Sequence, residues 1–120
     1  MNEILQKYSD IEHCPVRNIL SYYSSKWSML LLLLLSEAQT LRFSEIATAI
    51  PDISPKMLSS TLKTLETDGL ITRTIYAVVP PKVEYNITSL GSELATILRD
   101  LSLWAINNYD TIRQNRDKKS

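Results

Sequence analysis

Apolar positions along this 120-residue chain keep helical spacing over most of its length and give way once to a strand-like composition. Ile4, Leu5, Tyr8 and Ile11 stand three or four apart, a weak signal for an arm or short helix. Cys14-Pro15 interrupts it, because the residue before a proline is driven out of the helical region. Pro15 then suits the first turn of a helix carrying Ile19, Leu20, Tyr22 and Tyr23. After a joint at Ser24-Ser25, Trp27 to about Glu37 predicts the next helix. Its leucines leave no polar face for two turns, which predicts burial all round, and the lack of β-branched residues argues against a strand.

Thr40-Leu41-Arg42-Phe43 is a short extended stretch. Glu45 to Ile50 is a short helix with Ile46, Ala47 and Ile50 inward, and Pro51-Asp52-Ile53 makes a tight connection. Ser54-Pro55 is an N-cap followed by proline at the first helical position. Leu58, Leu62 and Leu65 follow on one face with Thr61 beside them, and Gly69 ends the helix. Ile71 to Ala77 and Val83 to Thr88, rich in β-branched and aromatic residues, flank Val78-Val79-Pro80-Pro81-Lys82 and predict an antiparallel hairpin with a stiff tip. Thr88 or Ser89 caps the last helix, with Glu93 placed to return a bond to the cap. Leu90, Leu94, Ile97, Leu101, Trp104 and Asn108 form its main stripe. The predicted fold is mainly α with a small antiparallel β hairpin, in the order of a winged helix-turn-helix. In that fold the second helix of the pair enters the DNA major groove, and the hairpin tip reaches the backbone or minor groove.

The candidate reading helix is Pro55 to Asp68. With three leucines inward, Lys56, Ser60, Lys63 and Thr67 point out, with Ser59 and Thr64 at the sides. Lysines and hydroxyls are suited to phosphates and base edges, and the N-terminus capped by Ser54 offers free N–H groups to a phosphate. Lys82 at the hairpin tip, Arg73 on its first strand and Arg42 before the helix pair are further candidate cations. A solvated amphipathic helix accounts for the same lysines and serines. The chain holds 13 basic and 13 acidic residues, a net charge of zero, so any nucleic-acid binding comes from placement of charge rather than its sum. One cysteine excludes an internal disulfide framework, and with His13 alone beside it no Cys/His zinc site can be assembled. Two glycines cannot build a phosphate-binding loop. Met29 to Leu35 is too short to span a bilayer, and the first residues lack a signal-peptide pattern. A cytoplasmic protein without a cofactor, metal or membrane partner is expected.

Cys14-Pro15-Val16, Lys26-Trp27, Arg42-Phe43-Ser44-Glu45-Ile46, Ile53-Ser54-Pro55-Lys56-Met57-Leu58, Leu62 through Ile71 and Pro80-Pro81-Lys82-Val83-Glu84-Tyr85, continued by Thr88, Leu90-Gly91 and Trp104, resemble the HxlR-type winged-helix regulators of bacteria, within the broader MarR-like group. The match runs from Cys14 to Trp104. It departs at Ser24-Ser25, where the family usually has glycine before Lys-Trp, and at Glu37 to Leu41, which replaces a shorter joint. The resemblance implies a homodimeric transcription factor on near-palindromic double-stranded operator DNA, as repressor or activator. It also implies oxidant or electrophile sensing through Cys14, whose place just before a helix start favours thiolate. A small buried apolar cysteine is the plainer reading of the same residue.

Dimerisation has a second support. In the last helix Leu101, Trp104 and Ala105 lie on the main stripe while Leu103 and Ile106 lie opposite, and one small domain covers only one side. A second protomer, with Ile19, Tyr22 and Tyr23 of the first helix, is expected to cover the other. The expected organisation is an arm or short helix over 1–13, the winged-helix domain with its dimerisation helix over 14–112, and a charged, fraying tail over 113–120. Rival functions are a winged-helix module that binds a protein or small ligand instead of DNA, and a thiol enzyme built on Cys14, which lacks a resolving cysteine. The sequence names no effector.

Overall fold

The structure is a computed structural model that describes residues 25–119. The expected arm, the helix after Pro15, and with them Cys14, Ile19, Tyr22 and Tyr23, lie outside the described residues.

Helix α1, Lys26–Ala38, starts at Ser25, whose hydroxyl accepts from the Ser28 N–H at 3.4 Å. Leu31, Leu32 and Leu35 are completely buried and form the centre of the core. Burial all round does not hold: Leu33 and Leu34 are half-buried and Leu30 is exposed. Gln39 ends α1 at φ +69°, a conformation that glycine adopts more easily, within the joint where the chain departs from the pattern of the family it resembles.

Strand β1, Thr40–Arg42, leads directly into α2, Phe43–Ala49, two residues ahead of the predicted start. The Glu45 carboxylate accepts from the Arg42 N–H at 2.9 Å and satisfies one of the free donors of the helix start. The joint to α3 turns on Ile50 and Ile53, both buried, with the Ile53 N–H donating to the Ile50 carbonyl at 3.3 Å. Helix α3, Pro55–Thr67, begins as predicted: the Ser54 hydroxyl accepts from the Met57 N–H at 3.1 Å and Pro55 occupies the first turn. Leu58, Leu62 and Leu65 are buried against α1 and the sheet. Gly69, at φ +78°, turns the chain out of α3.

Strands β2, Ile71–Tyr76, and β3, Lys82–Ile87, form the hairpin, with Ile71 opposite Ile87 and Tyr76 opposite Lys82. The stretch 40–42, expected only to be extended, is a third antiparallel strand: β1 pairs with β3, so the order is β1-β3-β2.

Helix α4, Ser89–Lys119, is about 46 Å long at 1.5 Å per residue. Thr88 is its cap, accepting from the Gly91 N–H at 3.1 Å. Gly91 is therefore the third helical position, so Glu93 stands too far along to return a bond. The buried face of α4 is Gly91, Ala95 and Leu98, with Leu94 and Ser102 half-buried; the helix packs on α1, and Gly91 meets Leu70 and Ile87. This corrects the expected stripe: Leu90, Ile97, Leu101 and Trp104 are exposed, and from Leu103 to Lys119 only Asn108 is even half-buried. Small side chains at 91 and 95 let α4 lie close to the body, leaving the bulky apolar residues outside. The charged residues 113–119, expected to fray, continue the helix.

Candidate nucleic-acid interface

Three buried leucines beneath α3 fix how the helix faces the outside. At about 100° per residue, the opposite face carries Lys56, Ser60, Lys63 and Thr67, and all four are exposed. Ser59 is exposed at one side. At the other, Thr64 is half-buried and its hydroxyl donates to the Ser60 carbonyl at 3.1 Å. Ser54 is committed to capping, so what it offers a ligand is the ordered helix start it creates.

Lys63 stands between two shallow hollows. One, toward the hairpin, is lined by Phe43, Ser59, Lys63, Glu66, Arg73 and Tyr85. The other, on the far side, is lined by Ser60, Lys63, Thr64, Thr67 and Asp68. Arg73 reaches the first because it shares a sheet face with Ile71 and lies opposite Tyr85, which is buried; alternate residues of a strand point to one side. The structure therefore brings Ser59, Lys63 and Arg73 to one place. Among the described residues none of Lys56, Lys63 and Arg73 is ion-paired. Glu66 in the same hollow is a carboxylate that the outward row does not reveal, since it belongs to the neighbouring stripe Ser59–Lys63–Glu66.

Two other predicted cations sit differently. Arg42 is exposed at the end of β1, opposite Glu84, across the sheet from Arg73. Lys82 is the first residue of β3 and is held back from the tip. Its ammonium lies 3.6 Å from the Glu84 carboxylate and 5.3 Å from the centre of the Tyr76 ring. The Glu84 charge, helped by a hydrogen bond to the carboxylate and by slight burial, raises Tyr76 above its ordinary tyrosine pKa. Lys26, in the Lys-Trp pair, lies over the Trp27 ring at 4.3 Å and bridges to Asp52 in the α2–α3 joint at 3.3 Å. The bridge is solvent-exposed and of small energetic weight. Leu103 and Ile106 are 52% and 71% exposed on α4. Among the described residues no group of three or more His, Cys, Asp or Glu comes together as a metal site, and no helix is long and apolar enough to cross a membrane.

A tight helix pair, a hairpin beside it and an outward row of lysines and hydroxyls define a winged helix-turn-helix protein. The HxlR-like helix-turn-helix family matches residues 23–113, and the chain belongs to that family. The HTH-type transcriptional regulator BH0655 of Halalkalibacterium halodurans is 43% identical over 110 residues, covering 92% of this chain and 97% of the relative. Among solved structures, the putative transcriptional regulator ytfH from Salmonella typhimurium superposes with a TM-score of 0.77 at 37% identity, over 88% of this chain and 94% of its own. The redox regulator HypR in its reduced form gives 0.77 at 34% identity, over 83% and 98%. The first two are named as transcriptional regulators and the third as a redox regulator.

Proposed function

We propose that this protein regulates transcription by binding near-palindromic operator DNA as a homodimer, with α3 of each protomer in a major groove. The observation that carries the reading is the exposed row Lys56, Ser60, Lys63 and Thr67, supported from beneath by fully packed leucines. Such a row holds the backbone of its donors at fixed positions, so that only the side chains remain to be ordered on binding. Lys56, Ser59, Ser60, Lys63 and Thr64 face the groove, with the Lys63 ammonium on a phosphate at its wall. Arg73 and Arg42 bind phosphates at its edges, and Lys82 joins them only when it leaves Glu84. Leu103 and Ile106, with the uncovered apolar residues of α4, supply the dimer interface, to which Ile19, Tyr22 and Tyr23 are assigned as partners. DNase footprinting on the promoter region adjoining the protein's own gene tests the reading. It predicts two protected segments one helical turn apart, about 34–36 Å. A monomer in sedimentation at micromolar concentration, or a single protected segment, contradicts it. Leu103→Asp with Ile106→Asp is expected to give monomers that bind DNA far more weakly.

HypR is named as a redox regulator and is solved in reduced and oxidized forms; that likeness supports Cys14 as the group through which oxidants or electrophiles change operator affinity. If Cys14→Ser protein still responds to oxidant in a DNA-binding assay, the sensor lies elsewhere. A protein-binding module is the remaining alternative, and loss of no affinity in Lys56→Ala and Lys63→Ala proteins is the result that favours it.

A further inference from the structure

On α3 the apolar side chains divide. Leu58, Leu62 and Leu65 are buried, while Met57 is 45% exposed and stands outside the core. Its backbone is held on both sides. The Met57 N–H donates to the Ser54 hydroxyl at 3.1 Å, and the Met57 carbonyl accepts from the Thr61 hydroxyl at 2.8 Å. Three residues before Ser60, it lies about 60° around the axis from it, on the side of Thr64 and away from the hollow that holds Ser59 and Arg73. The outward row and its edges otherwise carry lysines, hydroxyls and Glu66. A large apolar group therefore stands beside a polar row, in the first turn, where a groove-entering helix makes its base contacts. A single exposed apolar residue is ordinary on a protein surface; this one stands at the edge of the face read as meeting DNA.

We infer that Met57 is a specificity-determining residue: its thioether seats against the C5 methyl of one thymine in each half-site. The inference rests on the DNA-binding reading above. In the major groove the thymine methyl is the one apolar group among base edges that otherwise present amino, carbonyl and ring-nitrogen groups. Methionine offers no donor and only a weak acceptor. Set over a base amino or carbonyl group it would strip water and return no hydrogen bond, at a cost. Set over a methyl it removes apolar surface from water on both sides. The side chain is unbranched and turns about three bonds, so from a fixed backbone it adapts its end to the methyl. Hydroxyls both donate and accept, so Ser60 and Thr64 beside it discriminate less between bases. Phosphate contacts position the helix without reading sequence, and the methyl contact adds a preference that they do not supply.

The test uses the full chain and a duplex of about 30 base pairs, long enough for two half-sites, selected by the wild-type protein from a random library. Each thymine is replaced in turn, in both half-sites together, by deoxyuridine, which deletes the methyl and keeps the pairing and the O4 acceptor. One position is expected to depend on Met57. There uracil weakens wild-type binding roughly fourfold per half-site, about 15-fold for the two together, as one buried methyl each requires. Met57→Ala alters an exposed position and is checked for an unchanged melting temperature. It is expected to bind the thymine duplex correspondingly more weakly and to treat thymine and uracil alike at that position alone. Met57→Leu is expected to keep the preference, and Met57→Gln, of similar length, to lose it. The slope of affinity against salt stays unchanged in all three, because no phosphate contact is touched. Wild-type protein indifferent to every uracil overturns the inference, as does a Met57→Ala protein as sensitive to uracil as wild type. So does a lowered salt slope in Met57→Ala, which would make the side chain a support of the phosphate contacts instead. DNA binding that is weakened by Lys63→Ala yet shows no Met57-dependent uracil effect refutes this inference alone; wild-type protein that selects no duplex refutes it together with the DNA-binding reading.

Discussion

At Gly91 α4 lies close against the rest of the fold, and adding one methyl group there tests how the helix is held. A Cβ at this position would stand 2.1 Å from the Leu70 carbonyl oxygen and 2.8 Å from Ile87 Cγ1. An ordinary carbon–oxygen contact is about 3.3 Å or longer, so the carbonyl must retreat by about 1 Å. That oxygen accepts from the Thr88 N–H at 3.0 Å and from the Thr88 hydroxyl at 3.0 Å, a proton shared with the Gly69 carbonyl at 2.7 Å. Retreat of the carbonyl therefore weakens the link between the end of α3 and the cap of α4. Overpacking costs about 1–3 kcal/mol and each weakened hydrogen bond about 0.5–1.5, against about 1 kcal/mol gained from the better helix propensity of alanine. Gly91→Ala should lose about 2–3 kcal/mol, a drop in Tm on the order of 10 °C. Circular dichroism melts of wild type and variant at matched protein concentration, needed because dimerisation shifts Tm, measure it. A Tm equal to or above wild type would show that the close approach at Gly91 is not made and would refute the packing described for α4.

Gly69 makes the complementary case: nothing lies within 4 Å of an added Cβ, but its φ is +78°. Gly69→Ala should cost about 1–2 kcal/mol from backbone strain alone, and Gly69→Asn less, because asparagine tolerates that region. At Gly91 the order should reverse, with asparagine worse than alanine. On the wing, Glu84→Gln removes the negative charge that raises Tyr76, so Tyr76 should titrate at lower pH than in wild type, as read from ring-labelled tyrosine NMR assigned with Tyr76→Phe. The sign for stability follows. With its folded pKa above the unfolded one, Tyr76 keeps its proton longer in the folded state, so this contribution is present below the ordinary tyrosine range and is lost as pH rises through the folded value; the variant should lose less stability over that alkaline window.

The parts of the fold legible in the sequence are those written in local chemistry. Ser54-Pro55 states a helix start, Gly69 an end, and Leu58, Leu62 and Leu65 an inner face. Richness in branched and aromatic residues states the two strands of the wing. Two features were hidden for physical reasons. Strand β1 is three residues long and exists only through pairing with residues more than 40 positions away, which no local pattern encodes. The inner face of α4 is made of Gly91, Ala95 and Leu98, and close packing through small side chains leaves a faint hydrophobic signal beside the bulkier residues that remain outside. At the candidate interface the outward row on α3 was legible, because it is the complement of the leucine stripe. The position of Lys82 was not: its retention by Glu84 and Tyr76 follows from hairpin register, and shifting the turn by one residue would have left it at the tip.

Lys63 joins both hollows of the reading face, and its contribution to the salt dependence of binding tests the account most directly. Each phosphate contact adds about 0.9 to the slope of log affinity against log salt, and a two-fold pair holds Lys63 twice. Measured by fluorescence anisotropy on a duplex of about 30 base pairs selected by the wild-type protein from a random library, Lys63→Ala should bind more weakly and with a slope lower by about 1.8, its melting temperature unchanged. An equally tight, equally salt-dependent variant would contradict the placement of α3 against DNA.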